Sequence, residues 1–154
     1  MRLIGAPFNS AGLDVGVAAA PQALREAGLV ANAGLSDGGD VDVGVLRPER
    51  DADSGLLALA SLQTMTASVR RAVAESLRSA EVPLVVGGDC PVLIGALRGA
   101  HDVVGDVGLV FVDGHEDAWP STSSTTGEAA DCELGFLLGM NREVDRADAD
   151  PRPG

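Results

Sequence analysis

The chain has 154 residues, of which 45% are apolar, 22% are charged and 3% are aromatic, and its formal net charge at pH 7 is −12. This length predicts one globular domain whose core consists mainly of Val, Leu and Ala. The acidic composition lacks the basic surface that nucleic-acid binding requires, and no apolar run approaches the ~20 residues that span a bilayer, so neither a nucleic acid nor a membrane is an expected partner.

The first half of the chain alternates short apolar runs with amphipathic segments. We predict a strand over residues 3–6, a helix over 22–27 that follows Pro21, a weaker strand over 41–45 and a long helix over 54–80. Apolar residues of the long helix recur at three- and four-residue steps and predict one core-facing stripe, formed by Leu59, Leu62, Met65, Val69, Val73, Leu77 and Ala80.

The second half contains two further apolar runs that predict strands. Residues 84–86 form a third strand, followed by a helix from Pro91 to about residue 97, and residues 108–112 form a fourth. Runs that are apolar throughout are typical of parallel strands covered by helices on both faces. We therefore predict a three-layer α/β/α fold around a mainly parallel sheet.

The end of the sequence changes character. A short apolar helix is predicted over residues 134–138, and from residue 141 the chain is charged, rich in Ala and Pro, and aperiodic. We expect an α/β domain over residues 1–140 and a polar disordered tail over residues 141–154.

The ends of the last two predicted strands carry residues that can bind metal ions. Asp113, His115 and Asp117 occupy alternating positions after the fourth strand, and Cys90 follows the third. Ligands of open α/β sheets bind beyond the carboxyl ends of the strands, where these residues would lie. Such oxygen, nitrogen and sulfur donors suit a divalent first-row metal. The alternatives are a hydrogen-bonded turn at Asp113–Gly114 and a small buried thiol at the start of a helix.

The cysteines carry no other recognisable motif. Cys90 and Cys132 lie far apart and form no Cys-x-x-Cys pair, which argues against zinc-finger and thioredoxin-like proteins, and nothing favours a disulfide. No secretory signal pattern occurs in the first residues, so we expect a cytoplasmic location.

Four stretches together carry a resemblance to a known family. They are Ile4–Phe8, Gly16–Leu29, Gly87-Gly-Asp-Cys90 and Asp113-Gly-His-Glu-Asp117. In that order they resemble the first strand, the first helix, the Gly-Gly-Asp-His motif and the Asp-Ala-His-x-Asp motif of the ureohydrolases, the family of arginase, agmatinase and formimidoylglutamase. The resemblance runs from residue 3 to about residue 139 and covers the N-terminal half of that family.

The resemblance implies a hydrolase of a non-peptide C–N bond that uses water held between two Mn²⁺ ions. Asp113 would bridge both ions, His115 would bind one of them, and Asp117 and Cys90 would bind the other. Because a thiolate is a softer donor than imidazole, Cys90 would shift the preference toward Zn²⁺ or Fe²⁺. The implied substrate is a small cationic guanidino or amidine compound, and we expect the chain to form homo-oligomers.

Other acidic residues could attract such a cation or could be ordinary surface charge. They are Glu116, Glu128, Asp131 and Glu133.

The sequence also departs from the family pattern. The 154 residues contain no Ser-x-Asp-x-Asp motif, which completes the metal site of the family. Ala130 stands where arginases carry a loop His, and Trp119 stands where they carry an Asn. We therefore expect a truncated arginase-like chain that is incomplete or inactive by itself. The alternatives are a non-catalytic metal-binding or interaction module and a gene fragment without independent function.

Overall fold

A parallel sheet of three strands forms the centre of the computed structural model, which describes residues 1–148. The strands β1 (Arg2–Ala6), β2 (Ser36–Asp40) and β3 (Pro83–Gly87) lie in the order β2-β1-β3. Side chains of adjacent strand residues point to opposite faces. Leu3 and Ile4 are both buried, so both faces of β1 are covered.

Within the described residues, five α-helices accompany the sheet. They are α1 (Ala20–Glu26), α2 (Leu29–Asn32), α3 (Leu59–Arg78), α4 (Val92–Val104) and α5 (Glu133–Leu137). Both α1 and α3 contact β1, and α3 also packs along α4. The predicted α/β fold with a parallel sheet between helices is thereby confirmed. None of the described helices is long and apolar enough to cross a membrane.

Helix α3 contributes the middle of the hydrophobic core, as its apolar stripe predicts. Leu62, Met65 and Val69 are fully buried, and Val73 is almost so. The helix begins at Leu59 and not at residue 54, because the preceding residues form a turn in which the carboxylate of Asp51 accepts hydrogen bonds from the backbone N–H and the hydroxyl of Ser54.

Two glycines of α4 allow it to approach α3 closely. A Cβ atom on Gly95 would lie 2.6 Å from the carbonyl oxygen of Thr66, and one on Gly99 would lie 2.4 Å from that of Arg70. Any side chain at these positions would push the two helices apart. The close packing fixes the position of α4, whose N-terminus follows Cys90.

The predicted strand over residues 41–45 is wrong, because the second strand ends where that segment begins. Strand β2 pairs with β1. The β2 residues Asp37 and Asp40 form ion pairs with Arg25 of α1, with nitrogen–oxygen distances of 3.0 and 2.5 Å. Val43 instead lies buried in an irregular segment. The apolar alternation that predicted a strand therefore reflects core packing after the strand.

The predicted fourth strand over residues 108–112 is also wrong. In the described part of the chain these residues pair with no strand, and Val110 and Val112 are 90% and 91% exposed. Strand β3 lies at the end of the sheet and pairs only with β1 among residues 1–148. A strand requires a pairing partner, and its sequence pattern cannot supply one.

The segment after α5 begins as ordered structure. Asn141 is 3% exposed, Val144 is 1% exposed, and residues 143–148 form a 3-10 turn. Val144 packs into the hydrophobic core, and the division into a domain over residues 1–140 and a disordered tail over residues 141–154 stays a prediction. The remainder of the expected tail, residues 149–154, lies outside the described residues.

Candidate metal centre

The four predicted ligands line one cleft of about 710 Å³ beyond the carboxyl end of β3. Cys90, Asp113, His115 and Asp117 all contribute to its wall. The polar loop over residues 121–127 lies beside them, and Ala130 and Trp119 also face the cleft. The structure thus brings the four residues together at one cleft, and their role as metal ligands stays a prediction.

Cys90 is held at the cleft by the loop that follows β3. A Cβ atom on Gly88 would lie 2.3 Å from the carbonyl oxygen of Phe8, so only glycine fits this crossing. The carboxylate of Asp89 accepts hydrogen bonds from the backbone N–H and the hydroxyl of Ser10, and from the N–H of Cys90 at 2.9 Å. Asp89 thus fixes the loop and presents its neighbour to the cleft.

Asp113 and His115 are brought together by a turn. The backbone N–H of His115 donates to Oδ1 of Asp113 at 3.0 Å, and Nδ1 of the imidazole lies 3.5 Å from the same oxygen. The imidazole is 83% exposed and can turn toward an ion in the cleft. The hydrogen-bonded turn considered as an alternative to a metal site is therefore present, and it places the potential ligands side by side.

Asp117 connects this turn to α5. It is 8% exposed and has a positive φ of 42°. Its carbonyl oxygen accepts hydrogen bonds from the N–H groups of Leu134 and Gly135 at 3.0 and 3.3 Å. These bonds place the first residue of α5 next to the predicted ligands.

That residue, Glu133, is a member of the site that sequence reasoning treated as a possible surface charge. It is 0% exposed, and neither carboxylate oxygen has a hydrogen-bonding partner. Cys132, which precedes α5, and Phe136 of α5 belong to the hydrophobic core and hold the backbone of Glu133 in place. The available signal was its spacing of three residues from Phe136, which puts both on one face of a helix.

Several acidic side chains lie close together at the cleft, and their burial and mutual repulsion raise their pKa values. Burial raises the pKa of Asp117, and the nearby carboxylate of Asp113 adds to the effect. Burial likewise raises the pKa of Glu133, with a further contribution from Asp117. The pKa of the Cys90 thiol rises to about 11 because of burial and of the carboxylates around it, Glu133 first among them. A cation in the cleft would oppose each of these shifts by stabilising the ionised forms.

The potential ligand atoms form two groups that share Asp113. Those of Cys90, Asp113 and Glu133 lie within 4.8 Å of one another, and so do those of Asp113, His115 and Asp117. Donors bound to one ion at about 2.0–2.3 Å are at most about 4.6 Å apart, so small adjustments suffice for binding. The unpartnered buried carboxylate and the donor types fit a divalent first-row metal.

Comparison with known proteins shows the family of the chain. The sequence profile of the Arginase family matches residues 1–134. Arginase from Bacillus caldovelox is 28% identical over 146 residues, which cover 91% of this chain and 49% of that protein. Human arginase-1 is 29% identical over 141 residues, covering 88% and 44% of the two chains.

The fold agrees as well. The native structure of the Bacillus caldovelox arginase at pH 5.6 superimposes with a TM-score of 0.84 at 26% identity, covering 95% of this chain and 51% of that one. The chain spans about half the length of the relatives it matches. Over that half, sequence and structure agree: the chain belongs to the arginase family.

Proposed function

We propose that the chain contributes the divalent-metal ligands of a hydrolase centre that cleaves a non-peptide C–N bond of a guanidino or amidine compound. The observation that carries the proposal is the convergence of Cys90, Asp113, His115 and Asp117 in one cleft. The buried carboxylate of Glu133 lies beside Cys90 and Asp113. Membership of the arginase family supports the reaction class. Manganese is the metal that the family resemblance implies, and the thiolate of Cys90 favours Zn²⁺ or Fe²⁺.

The residues of the cleft have separable roles in this proposal. Asp113, His115, Asp117 and Cys90 would hold the metal, which when bound supplies an acidified, oriented water. Asp89 fixes the loop that carries Cys90. Asp131 accepts hydrogen bonds from the hydroxyls of Ser124 and Thr126 and so fixes the polar loop that also lines the cleft.

The cleft suits a small cationic substrate other than arginine. Its acidic wall favours a guanidinium or amidinium group. Trp119, which is 51% exposed at the cleft, offers a ring face for a cation. Ala130 has no group that can transfer a proton, and arginases carry a His at that position. We infer that amino-acid recognition of the arginase type is absent.

A non-catalytic metal-binding module is the second candidate function. It is favoured by one observation: the cleft presents metal donors, and Ala130 in its wall has no group that can transfer a proton. Metal binding by this chain without turnover agrees with both candidate functions. Turnover by a complex of this chain with the C-terminal half of a relative would favour the hydrolase over the non-catalytic module.

Metal binding is the first experiment. Calorimetric titration of the purified chain with Mn²⁺ and Zn²⁺ is expected to show binding, and His115→Ala and Asp113→Asn are expected to weaken it. Asp106→Asn provides a control, because Asp106 is an exposed carboxylate outside both donor groups. Equal metal content in the wild type and in His115→Ala would contradict the proposed centre.

The contribution of Cys90 can be tested by changing the donor type. Imidazole is a harder donor than thiolate, so Cys90→His is expected to move the preference of the site from Zn²⁺ toward Mn²⁺. Competition between the two ions measures this directly. An unchanged ratio of affinities would remove Cys90, an exposed thiol, from the proposed ligand set.

A further inference from the structure

The strongest unexplained feature of the cleft is the burial of Glu133 as a carboxylate without a partner. Its side chain is 0% exposed, and both Oε1 and Oε2 lack a hydrogen-bonding group. Burying a carboxylate in this way is costly, and native proteins retain such a group where something else compensates it. The donor atoms of Cys90 and Asp113, which line the cleft, lie within 4.8 Å of a Glu133 carboxylate oxygen, so a cation bound there would supply the compensation.

The position of Glu133 relative to the other donors identifies what could compensate it. An oxygen of Glu133 lies within 4.8 Å of the thiol of Cys90 and of a carboxylate oxygen of Asp113. Asp113 also belongs to the second group, with His115 and Asp117. The donors in and beside the cleft therefore form two three-donor groups that share the carboxylate of Asp113.

We propose that Glu133 is a metal ligand, which forms with Cys90 and Asp113 a cation subsite distinct from the subsite of Asp113, His115 and Asp117. The inference rests on the proposed metal centre and changes its ligand set. The family resemblance pairs Cys90 with Asp117, whereas here α5 supplies the carboxylate beside Cys90. Each subsite then receives three donors from this chain, and Asp113 is shared.

The two subsites differ in chemistry. The first combines a thiolate with two carboxylates and is the softer of the two, so it favours Zn²⁺, Fe²⁺ or Co²⁺. The second combines an imidazole with two carboxylates, which suits Mn²⁺ as well. A site of this kind would take up two different metals when both are offered.

The alternative is that Glu133 shares a proton with Asp117, whose carboxyl group lies beside it. A glutamine at position 133 could donate a hydrogen bond to Asp117 in the same way. The substitution Glu133→Gln would then leave metal binding unchanged, whereas a metal ligand cannot be replaced by an amide without a large loss of affinity.

The test is a Co²⁺ titration of the whole chain, followed by absorption spectroscopy and calorimetry. A charge-transfer band between thiolate and Co²⁺ reports an ion bound to Cys90, and Cys90→Ser establishes the origin of the band. Glu133→Gln is expected to abolish the band or to weaken binding of that ion by at least about 10- to 100-fold, the cost of losing even an outer-shell partner.

A matched control exists elsewhere in the chain. Glu143 also has a buried oxygen without a partner, Oε2, but its Oε1 accepts a hydrogen bond from Ser121 at 2.7 Å, and it belongs to neither donor group. Glu143→Gln is expected to bind Co²⁺ like the wild type. If Glu133→Gln binds like this control while His115→Ala loses affinity, the present inference is overturned and the proposed centre survives.

Two further readouts make the result decisive. Metal-free Glu133→Gln is expected to be at least as stable as the metal-free wild type, because the unpartnered carboxylate is gone, and to gain less thermal stability when Co²⁺ is added. A loss of stability without metal would assign Glu133 a structural role and overturn the inference. A wild type that binds no Co²⁺ would overturn this inference together with the proposed centre.

Discussion

The carbonyl oxygen of Asp117 accepts a hydrogen bond from the backbone N–H of Leu134 at 3.0 Å, across a separation of 17 residues. This bond joins the turn that carries Asp113 and His115 to the start of α5. Because Phe136 of α5 is buried in the core, the turn is anchored although its imidazole is exposed. The site is therefore preorganised by a helix that carries a ligand candidate of its own.

The close packing of α4 on α3 makes Gly99 intolerant of a side chain. Gly99→Ala places a Cβ atom against the backbone carbonyl of Arg70, which cannot move aside as a side chain would. We expect a loss of about 1–3 kcal/mol in the free energy of unfolding, measured by urea denaturation. Gly108→Ala is the control, because a Cβ atom on Gly108 would meet no other group within 4 Å. Equal stability of the two variants would contradict the tight contact.

The ion pair between α1 and the edge strand β2 should make stability depend on pH. The pKa of Asp37 lies below its usual value because its carboxylate accepts the N–H of Gly39 and is bound by Arg25. A lowered pKa means that this contribution is present above the pKa of the unfolded chain, 3.8, and is lost as the pH falls through the folded value.

Denaturation of the wild type and Asp37→Asn as a function of pH measures this contribution. The wild type is expected to have a higher free energy of unfolding than Asp37→Asn at neutral pH. This difference is expected to shrink as the pH falls below 3.8. A difference that is constant over the whole range would show that the carboxylate contributes no charge interaction. The effect is small, because the side chain of Asp37 is 37% exposed and solvent screens its interaction with Arg25.

Local sequence patterns predicted most of the helices and strands that pack against other parts of the chain. The stripe of α3 and the apolar strands β1 and β3 follow from periodicity. The grouping of Cys90 with the Asp113 turn was predicted from a fourth strand over residues 108–112, which the described residues do not form, so the turn reaches the cleft by another route. Strand β2 did not follow, because Ser36–Asp40 has no apolar pattern and forms through pairing with β1 and through Arg25. Glu133 did not follow either, because its burial depends on the distant core contacts of α5.

The exposed valines of the segment that lacks a partner strand should promote self-association. Val110 and Val112 lie 90% and 91% exposed in a strand-like sequence, and unpaired apolar segments are templates for pairing between chains. We expect concentration-dependent association of the wild type in sedimentation velocity, and a shift toward monomer in Val110→Lys and Val112→Lys.

A lysine at another exposed valine controls for the added charge. Val45 is 73% exposed and lies outside this segment, so Val45→Lys should associate like the wild type. A monomeric wild type at all concentrations would contradict the expected homo-oligomer. Equal dissociation by all three substitutions would indicate a general effect of charge on this acidic chain.

The final prediction is that these 154 residues bind metal but do not hydrolyse arginine or agmatine at an enzymatic rate. No Ser-x-Asp-x-Asp motif is present in the chain to complete a site of the arginase type, and Ala130 offers no proton-transfer group at the cleft. The segment that follows Val112 is held by a turn and by α5 and not by sheet pairing, and catalytic geometry tolerates only about half an ångström of error. Colorimetric detection of urea with saturating Mn²⁺ is the measurement, with Asp113→Asn as the control. Turnover in the wild type that disappears in Asp113→Asn would contradict the prediction. It would mean that the donors in and beside the cleft, Glu133 included, suffice to activate water without the Ser-x-Asp-x-Asp motif.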